Sequence, residues 1–340
     1  MVIKNKAKKE KNELIFKYQK QDIIKKLGRI LGDDFKKYRQ DFDKTQNYLK
    51  TKFVPDFPLT VSLELVNRCN LNCVMCYKEH HQQPEAELDL KVLKKIFVEC
   101  KKNKLPSMIL GLGAETLVYR NIKKVLEMVR EAQIQDVFFG TNGVLLNDEI
   151  IDLIIKNKIS RVEISIDAAT AETYNKVRRV PVFERVEENL NKLIAARKKQ
   201  KSQLPIIRLC FVVLDINRHE TQLFLKKWRH KVDYIDFQRC VDFSEMHRPL
   251  KINKNIISNS FCSYPFYSLN IWADGSVSPC CSFYGEKLKI GDIRQQTLKE
   301  IWDSNQMKKI RQELAEKEFN PVCQKCLYSR DRKIIDKEFN

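Results

Sequence analysis

Hydrophobic positions along this chain change period several times, and the changes mark its elements. From residue 60 onward, short apolar runs of strand length alternate with longer stretches in which apolar residues recur every three or four positions. The runs predict strands over 60–66, 107–112, 136–141, 160–167, 205–214 and 234–238. The stretches between them predict helices over 88–101, 121–132, 148–155, 182–199 and 220–230. Strands and helices in alternation build a parallel sheet with helical crossovers, and such sheets place function at the carboxyl ends of their strands. Ahead of them, Leu14, Ile15, Tyr18, Ile23, Ile24, Leu27 and Leu31 recur at helical spacing, which predicts a helix packed on the body rather than a free tail. Behind them, the lysine-rich 251–259 reads as a linker, 271–277 as a hairpin around Asp274-Gly275, and 298–317 as a helix carrying Trp302 and Arg311.

Candidate chemistry begins where the first strand ends. Cys69, Cys73 and Cys76 put three thiols within eight residues, directly after the apolar run 59–66. A structural zinc site takes four ligands as two close pairs, and no fourth Cys or His stands nearby at pair spacing. A four-iron cube needs one thiolate per iron, so three thiolates leave one iron open to a small molecule. A second set lies near the other end of the sequence: Cys262, one of the neighbours Cys280 and Cys281, and the closing pair Cys323 and Cys326. These make four thiolates, a full cage that fits zinc or a cluster without an open iron. Cys100 and Cys210 sit within apolar patterns and read as small buried hydrophobes. Cys240 follows the sixth strand, at the end where a substrate should lie, and is a candidate hydrogen donor or ligand. His80 and His81, flanked by polar residues, read as a solvated loop.

Composition limits the setting. With 340 residues and 43% hydrophobic content, the chain can bury a full core and is expected to carry one large domain plus appendages. Residues 1–20 are lysine-rich and lack an apolar signal core, and no stretch approaches the roughly 18 to 20 apolar residues of a membrane span. The eleven cysteines are therefore read as metal ligands or buried thiols in a reducing cytoplasm. Of the formal net charge of +19, residues 1–52 supply +9. A basic arm attracts nucleic acid or an anionic membrane face, whereas its plainer reading is a solvated helical face. Phe16, Tyr18, Phe35, Tyr38, Phe42 and Tyr48 interleave with the basic residues, so a non-enzymatic iron-sulfur or zinc protein binding RNA is the alternative of another class. Helix packing would use most of these aromatics, and a nucleic-acid partner is not expected.

The Cys-x3-Cys-x2-Cys loop, with Met75 before its last cysteine and Tyr77 after it, resembles the signature of the radical S-adenosylmethionine (radical SAM) superfamily. The resemblance implies a catalytic 4Fe-4S cluster on Cys69, Cys73 and Cys76 whose open iron is chelated by SAM. An electron then cleaves SAM to a 5'-deoxyadenosyl radical that abstracts hydrogen from substrate. It also implies a flavodoxin- or ferredoxin-type electron donor and an α/β fold: a partial (β/α)6 TIM-like barrel. Other loops are similar to the family's SAM contacts: Gly113 and Glu115 match a Gly-Gly-Glu-Pro loop from which Ala114 and Thr116 depart, Thr141-Asn142-Gly143 matches a turn, and Ser165-x-Asp167 matches the ribose segment. Tyr77, Gly113, Glu115, Asn142, Ser165, Asp167 and Arg178, the last toward a carboxylate, are the implied cofactor-binding residues.

From Cys262 to Cys326, the hairpin, Pro279-Cys280-Cys281, Ile290-Gly291-Asp292-Ile293 and the closing Cys pair resemble a short SPASM-type extension with one auxiliary 4Fe-4S cluster. Cys262, Cys280, Cys323 and Cys326 are its implied ligands and Cys281 the spare. The expected organisation is a basic helical N-terminal extension (1–58), a radical SAM core (59–250) and a small Cys-rich α+β C-terminal domain (251–340). The expected reaction is a two-electron oxidation of a small molecule such as a sugar or aminocyclitol, with peptide maturation second and epimerisation third.

Overall fold

The computed structural model describes residues 17–19, 22–79, 83–240, 261–281 and 288–331. The expectations for Leu14, Ile15, Phe16, His80, His81 and the 251–259 linker fall outside the described residues. Strand β1 (Lys17–Gln19) precedes helices α1 (Ile23–Leu31), α2 (Asp33–Gln46) and α3 (Tyr48–Thr51). The six expected strands are present as β2 (Thr60–Leu63), β3 (Ser107–Leu110), β4 (Asp136–Thr141), β5 (Arg161–Ser165), β6 (Ile206–Val213) and β7 (Tyr234–Arg239). Each pairs in parallel with its successor. The connections carry α4 (Leu90–Lys102), α5 (Ile122–Glu131), α6 (Asp148–Lys156), α7 (Ala171–Arg178), α8 (Phe183–Lys199) and α9 (Thr221–Trp228). Helix α7 was not expected, because its eight residues hold few apolar positions; Thr170 starts it by accepting from the Thr173 amide.

The two faces of the sheet differ. Val61, Leu63, Met108, Leu110, Val137, Phe139, Val162, Ile164, Leu209 and Phe237 pack into one hydrophobic cluster with Ile96, Val125, Ile154, Leu190 and Phe224 of the helices. The alternate residues point the other way, and along β5 Arg161, Glu163 and Ser165 are partly exposed while Val162 and Ile164 are fully buried. The inner face thus carries polar side chains, and water reaches it along β5.

The N-terminal segment closes one end of this inner space. Ile23, Leu27, Phe35 and Tyr38 form a second cluster with Leu59, Leu204 and Ile206, residues at the amino-terminal ends of β2 and β6. Burying side chains the size of Leu27 and Phe35 contributes about 1.5–3 kcal/mol each. Asp233 fastens the cap by accepting from Lys26 Nζ at 2.8 Å, Arg197 NH1 at 2.5 Å and the Ile207 amide at 2.9 Å. One expectation is corrected here: Tyr18 lies in a strand, antiparallel to β7 and opposite Ile235, rather than in a helix. Pairing with an edge strand outweighs helical periodicity in so short a segment.

The Cys-rich segment continues the same sheet. Its strand β8 (Ser268–Ile271) pairs in parallel with β2, Thr60 opposite Ser268, and β9 (Ser276–Ser278) and β10 (Gly291–Asp292) follow antiparallel. The order among the described residues is β1-β7-β6-β5-β4-β3-β2-β8-β9-β10. The single helix expected over 298–317 is two, α10 (Leu298–Trp302) and α11 (Asn305–Glu316). Ser304 breaks the run with an extended backbone and caps α11 by accepting from the Met307 amide at 3.2 Å. Helix α12 (Pro321–Asp331) follows.

Candidate functional site

The cysteine loop leaves the carboxyl end of β2 and is pinned at several points. Asn67 donates to the Pro84 carbonyl at 2.7 Å and accepts from the Ala86 amide at 2.8 Å, while Lys78 Nζ donates to the Asn67 carbonyl. The Val74 amide donates to the Val177 carbonyl at the end of α7, and the Cys76 amide to the Cys73 carbonyl. Cys69 is exposed, Cys73 buried and Cys76 partly buried. Two nitrogen donors approach the sulfurs: Arg178 NH1 lies 3.3 Å from Cys73 Sγ, and Asn142 Nδ2 lies 3.9 Å from Cys69 Sγ and 2.7 Å from Asn70 Oδ1. Burial pushes the Cys76 thiol up, so the thiolate that iron requires needs compensating positive charge. Three thiols on one loop, with donors aimed at two of them, fit a four-iron cube held by three thiolates.

The loops around it are braced from within. Glu115 is buried and accepts from the Leu117 amide at 3.1 Å, Thr141 Oγ1 at 2.7 Å and the Asn142 amide at 2.7 Å. Its carboxylate thereby ties the loop after β3 to the turn after β4, although burial still raises it. Gly113 has a positive φ of 83°, and a Cβ there would fall 2.3 Å from Glu64 Oε1 and 2.9 Å from the Tyr77 hydroxyl. Asn142 Oδ1 accepts from the Val144 amide, which fixes its amide toward the cysteine loop. Ser165 ends β5 on the partly exposed inner face. Asp167 is fully buried, at φ 62°, pairing with Arg178 NH2 at 2.5 Å and accepting from the Val212 amide at 2.6 Å. Arg178 is also buried; burial works against its charge, and Asp167 with Cys73 outweighs that and holds the guanidinium's proton more tightly. Glu115, Asp167 and Arg178, expected as cofactor contacts, are thus engaged with their own chain. Cys240, partly exposed, directly follows β7.

Two nearby residues escaped the sequence reading. Glu64, 2% exposed, accepts from the Ala273 amide of the β8–β9 turn at 3.1 Å and so joins the cysteine loop's strand to the Cys-rich segment. A charge inside the apolar run 61–66 was its visible signal. Tyr174 is fully buried, its hydroxyl pushed up to about 12 by burial, in the fields of Arg178 and Cys73.

The second cysteine set lies at the other end of the sheet. Cys262 precedes the amino-terminal end of β8, and Cys280 and Cys281 follow the return strand β9. The four paired residues of β2 and β8 alone span roughly 10 Å. Cys323 and Cys326 stand one turn apart on α12, where Asn320 accepts from the Cys323 amide and donates to its sulfur at 3.3 Å. Burial foremost, then the charge of Cys262 and Cys326, pushes Cys323 up to about 12. Tyr267 hydrogen-bonds to Tyr264, whose hydroxyl meets the Cys281 sulfur; the charge of Cys281, then burial, raises Tyr264. Among the described residues no three His, Cys, Asp or Glu side chains converge to hold one metal ion. A cube takes each thiolate on a separate iron.

Comparison with known proteins finds two family matches along the chain. Residues 63–224 match the radical SAM superfamily, and residues 262–327 match SPASM, an iron-sulfur cluster-binding domain. The first domain implies a 4Fe-4S cluster with SAM, and the second implies auxiliary iron-sulfur clusters. A relative from Pyrococcus furiosus, the tungsten-containing aldehyde ferredoxin oxidoreductase cofactor-modifying protein, is 25% identical over 71% of this chain and 80% of its own length. The mycofactocin maturase MftC of Mycobacterium ulcerans is 29% identical over 42% of this chain and 38% of its own. The solved structure of anSMEcpe with bound AdoMet, 19% identical, superposes with a TM-score of 0.58 over 79% of this chain and 83% of that one, which establishes the shared fold.

Proposed function

We infer, for a chain that belongs to the radical SAM superfamily and carries a SPASM domain behind its parallel sheet, that it oxidises a small polar molecule, such as a sugar or aminocyclitol, by two electrons. The observation that carries this reading is the placing of two cysteine sets at opposite ends of one sheet, with polar side chains on the inner face between them, partly exposed along β5. In this reading residues 1–58 are a basic N-terminal extension, 59–250 form the radical core and 251–340 the auxiliary-cluster segment.

Cys69, Cys73 and Cys76 hold the catalytic cluster. Tyr77, Gly113, Asn142 and Ser165 line the SAM pocket, while Glu115, Asp167 and Arg178 keep its loops in place. Cys262, Cys280, Cys323 and Cys326 hold the auxiliary cluster, and Cys281, met by Tyr264, is the spare. When bound, the first cluster and SAM supply a reductive cleavage that delivers a radical able to take hydrogen from carbon. The chain's part is to orient the substrate and exclude competing reactions. Arg161, Glu163, Arg208, Tyr234 and Gln238 share the inner face, with Arg208 paired to Glu163 at 2.7 Å and also to Asp236. Such a surface recognises hydroxyl and ammonium groups. Cys240, at the carboxyl end of β7, stands where it can donate a hydrogen atom.

The small-molecule class is also supported by β1, which occupies the edge of β7 that an extended peptide would otherwise extend. The Pyrococcus relative, named as a cofactor-modifying protein, supports the same class. Peptide maturation is the second reading, favoured by the relative named a maturase. Against RNA binding, Phe35, Tyr38 and Phe42 of the basic segment are engaged in packing on the barrel end. A flavodoxin- or ferredoxin-type donor in the cytoplasm completes the scheme; among the described residues no helix is long and apolar enough to cross a membrane.

The test is anaerobic reconstitution with iron and sulfide, reduction and addition of SAM. Formation of 5'-deoxyadenosine that disappears in Cys73→Ala is expected, and its absence from a fully reconstituted protein refutes the reading. About eight irons per chain are expected, falling to about four in the Cys323→Ala/Cys326→Ala variant. Four irons with one zinc would overturn the auxiliary assignment.

A further inference from the structure

We propose that the Asp167–Arg178 pair sets the reduction potential of the cluster bound through Cys73, as an electrostatic device separate from the packing of the loop. The proposal rests on Cys69, Cys73 and Cys76 holding that cluster. Arg178 is buried and presents NH1 to Cys73 Sγ at 3.3 Å while NH2 meets Asp167. A guanidinium stays protonated at any working pH, so a full positive charge stands against one thiolate. Reduction adds negative charge to the cluster, and a fixed cation in a dry setting stabilises the reduced form.

Asp167 acts in the opposite sense and from farther away, because the guanidinium lies between its carboxylate and the sulfur. Its position is fixed tightly. Asp167 adopts a positive φ of 62°, uncommon for a residue with a side chain, and its neighbours hold it there. The neighbours are the Val212 amide on its carboxylate and Asn217 Nδ2, which donates at 2.9 Å both to the Asp167 carbonyl and to that of Val212. The ends of β5 and β6 are thereby locked around this carboxylate.

The guanidinium is not the loop's sole attachment to α7. The Val74 amide bonds the Val177 carbonyl at 2.9 Å, one residue before Arg178. Removing the charge therefore leaves the backbone link between the helix and the cysteine loop in place.

Redox titration followed by electron paramagnetic resonance, on reconstituted full-length protein without SAM, separates charge from packing. Arg178→Met is expected to move the first cluster to a more negative potential, Asp167→Asn to a more positive one, and Arg178→Lys to leave it near the parent. A tenfold change in the reduction equilibrium, about 59 mV for one electron, is the shift sought. The auxiliary cluster should not move and serves as the internal reference. A positioning role without electrostatics would shift Arg178→Met and Asp167→Asn in the same direction, or neither, and either result overturns the proposal. Should Arg178→Met fail to fold, the upward shift in Asp167→Asn decides. A parent protein whose iron count shows no cluster on the three cysteines would fail the underlying reading instead, and is told apart by that count.

Discussion

Replacing Gly113 by Ala tests how tightly the loop after β3 is packed against the cysteine loop. Two effects add. At φ 83° an L-residue is strained by about 1–2 kcal/mol. The new Cβ would also lie 2.3 Å from Glu64 Oε1, far inside van der Waals contact, and Glu64 is only 2% exposed with little room to retreat. Moving that carboxylate breaks its hydrogen bond from the Ala273 amide, a bond to a charged group worth about 1.5–3 kcal/mol. The sum is roughly 2.5–5 kcal/mol of lost stability. Gly275→Ala is the control. Its φ is 84°, and its Cβ would meet Arg294, whose side chain is 56% exposed; swinging it away gives up its surface pair with Asp292, about 0–1 kcal/mol, beside the strain of about 1–2 kcal/mol. Urea unfolding of the two apoprotein variants against the parent measures both. A Gly113→Ala loss within about 0.5 kcal/mol of the Gly275→Ala loss would refute the contact between the glycine loop and Glu64. On the proposed role of Tyr77, the same variant should weaken SAM binding by reconstituted protein, since the new Cβ would also lie 2.9 Å from the Tyr77 hydroxyl.

Three further outcomes follow from other parts of the structure. Asp136→Ala should destabilise the apoprotein by about 3–5 kcal/mol in urea unfolding, because it strands the largely buried Arg161, whose Nε and NH2 both bond the carboxylate. Asn142→Ala should cost about 1–3 kcal/mol of stability, from the lost bonds to Asn70 and from the Val144 amide, and lower the iron retained after reconstitution by freeing the Cys69 end of the loop. Asp233 carries a pH dependence: burial works to raise it, but Arg197 and Lys26 outweigh burial and hold it below the ordinary value. A depressed carboxylate contributes stability above its unfolded value of about 3.9, and loses it as pH falls through the folded value. The urea midpoint of the apoprotein should therefore drop between pH 5 and pH 3, with hydrogen exchange rising first in α1, and Asp233→Asn should flatten that part of the curve. An identical acid slope in the variant would contradict the role given to Asp233 in fastening the cap.

The legible part of this protein was whatever has a local pattern. Six strands and the longer helices were readable because the helix-covered face of the sheet is continuously aliphatic and each element is long enough to show its period. The cysteine spacing was readable because ligands on one loop lie close in sequence. Ser304 was a visible cap residue too, yet a continuous helix was expected across it, and the cap prevailed over the periodicity. The remainder depended on partners far away in the chain. Three residues of β1 carry no usable alternation, and only Ile235, more than 200 residues later, makes them a strand. The joining of the Cys-rich segment to the core through β2 and β8 is equally non-local. Which way a carboxylate turns is likewise decided by what surrounds it. Glu115 and Asp167 were expected as cofactor contacts and Glu64 was not singled out, but burial obliges each carboxylate to find donors, and loops brought together only when the sheet closes supply them.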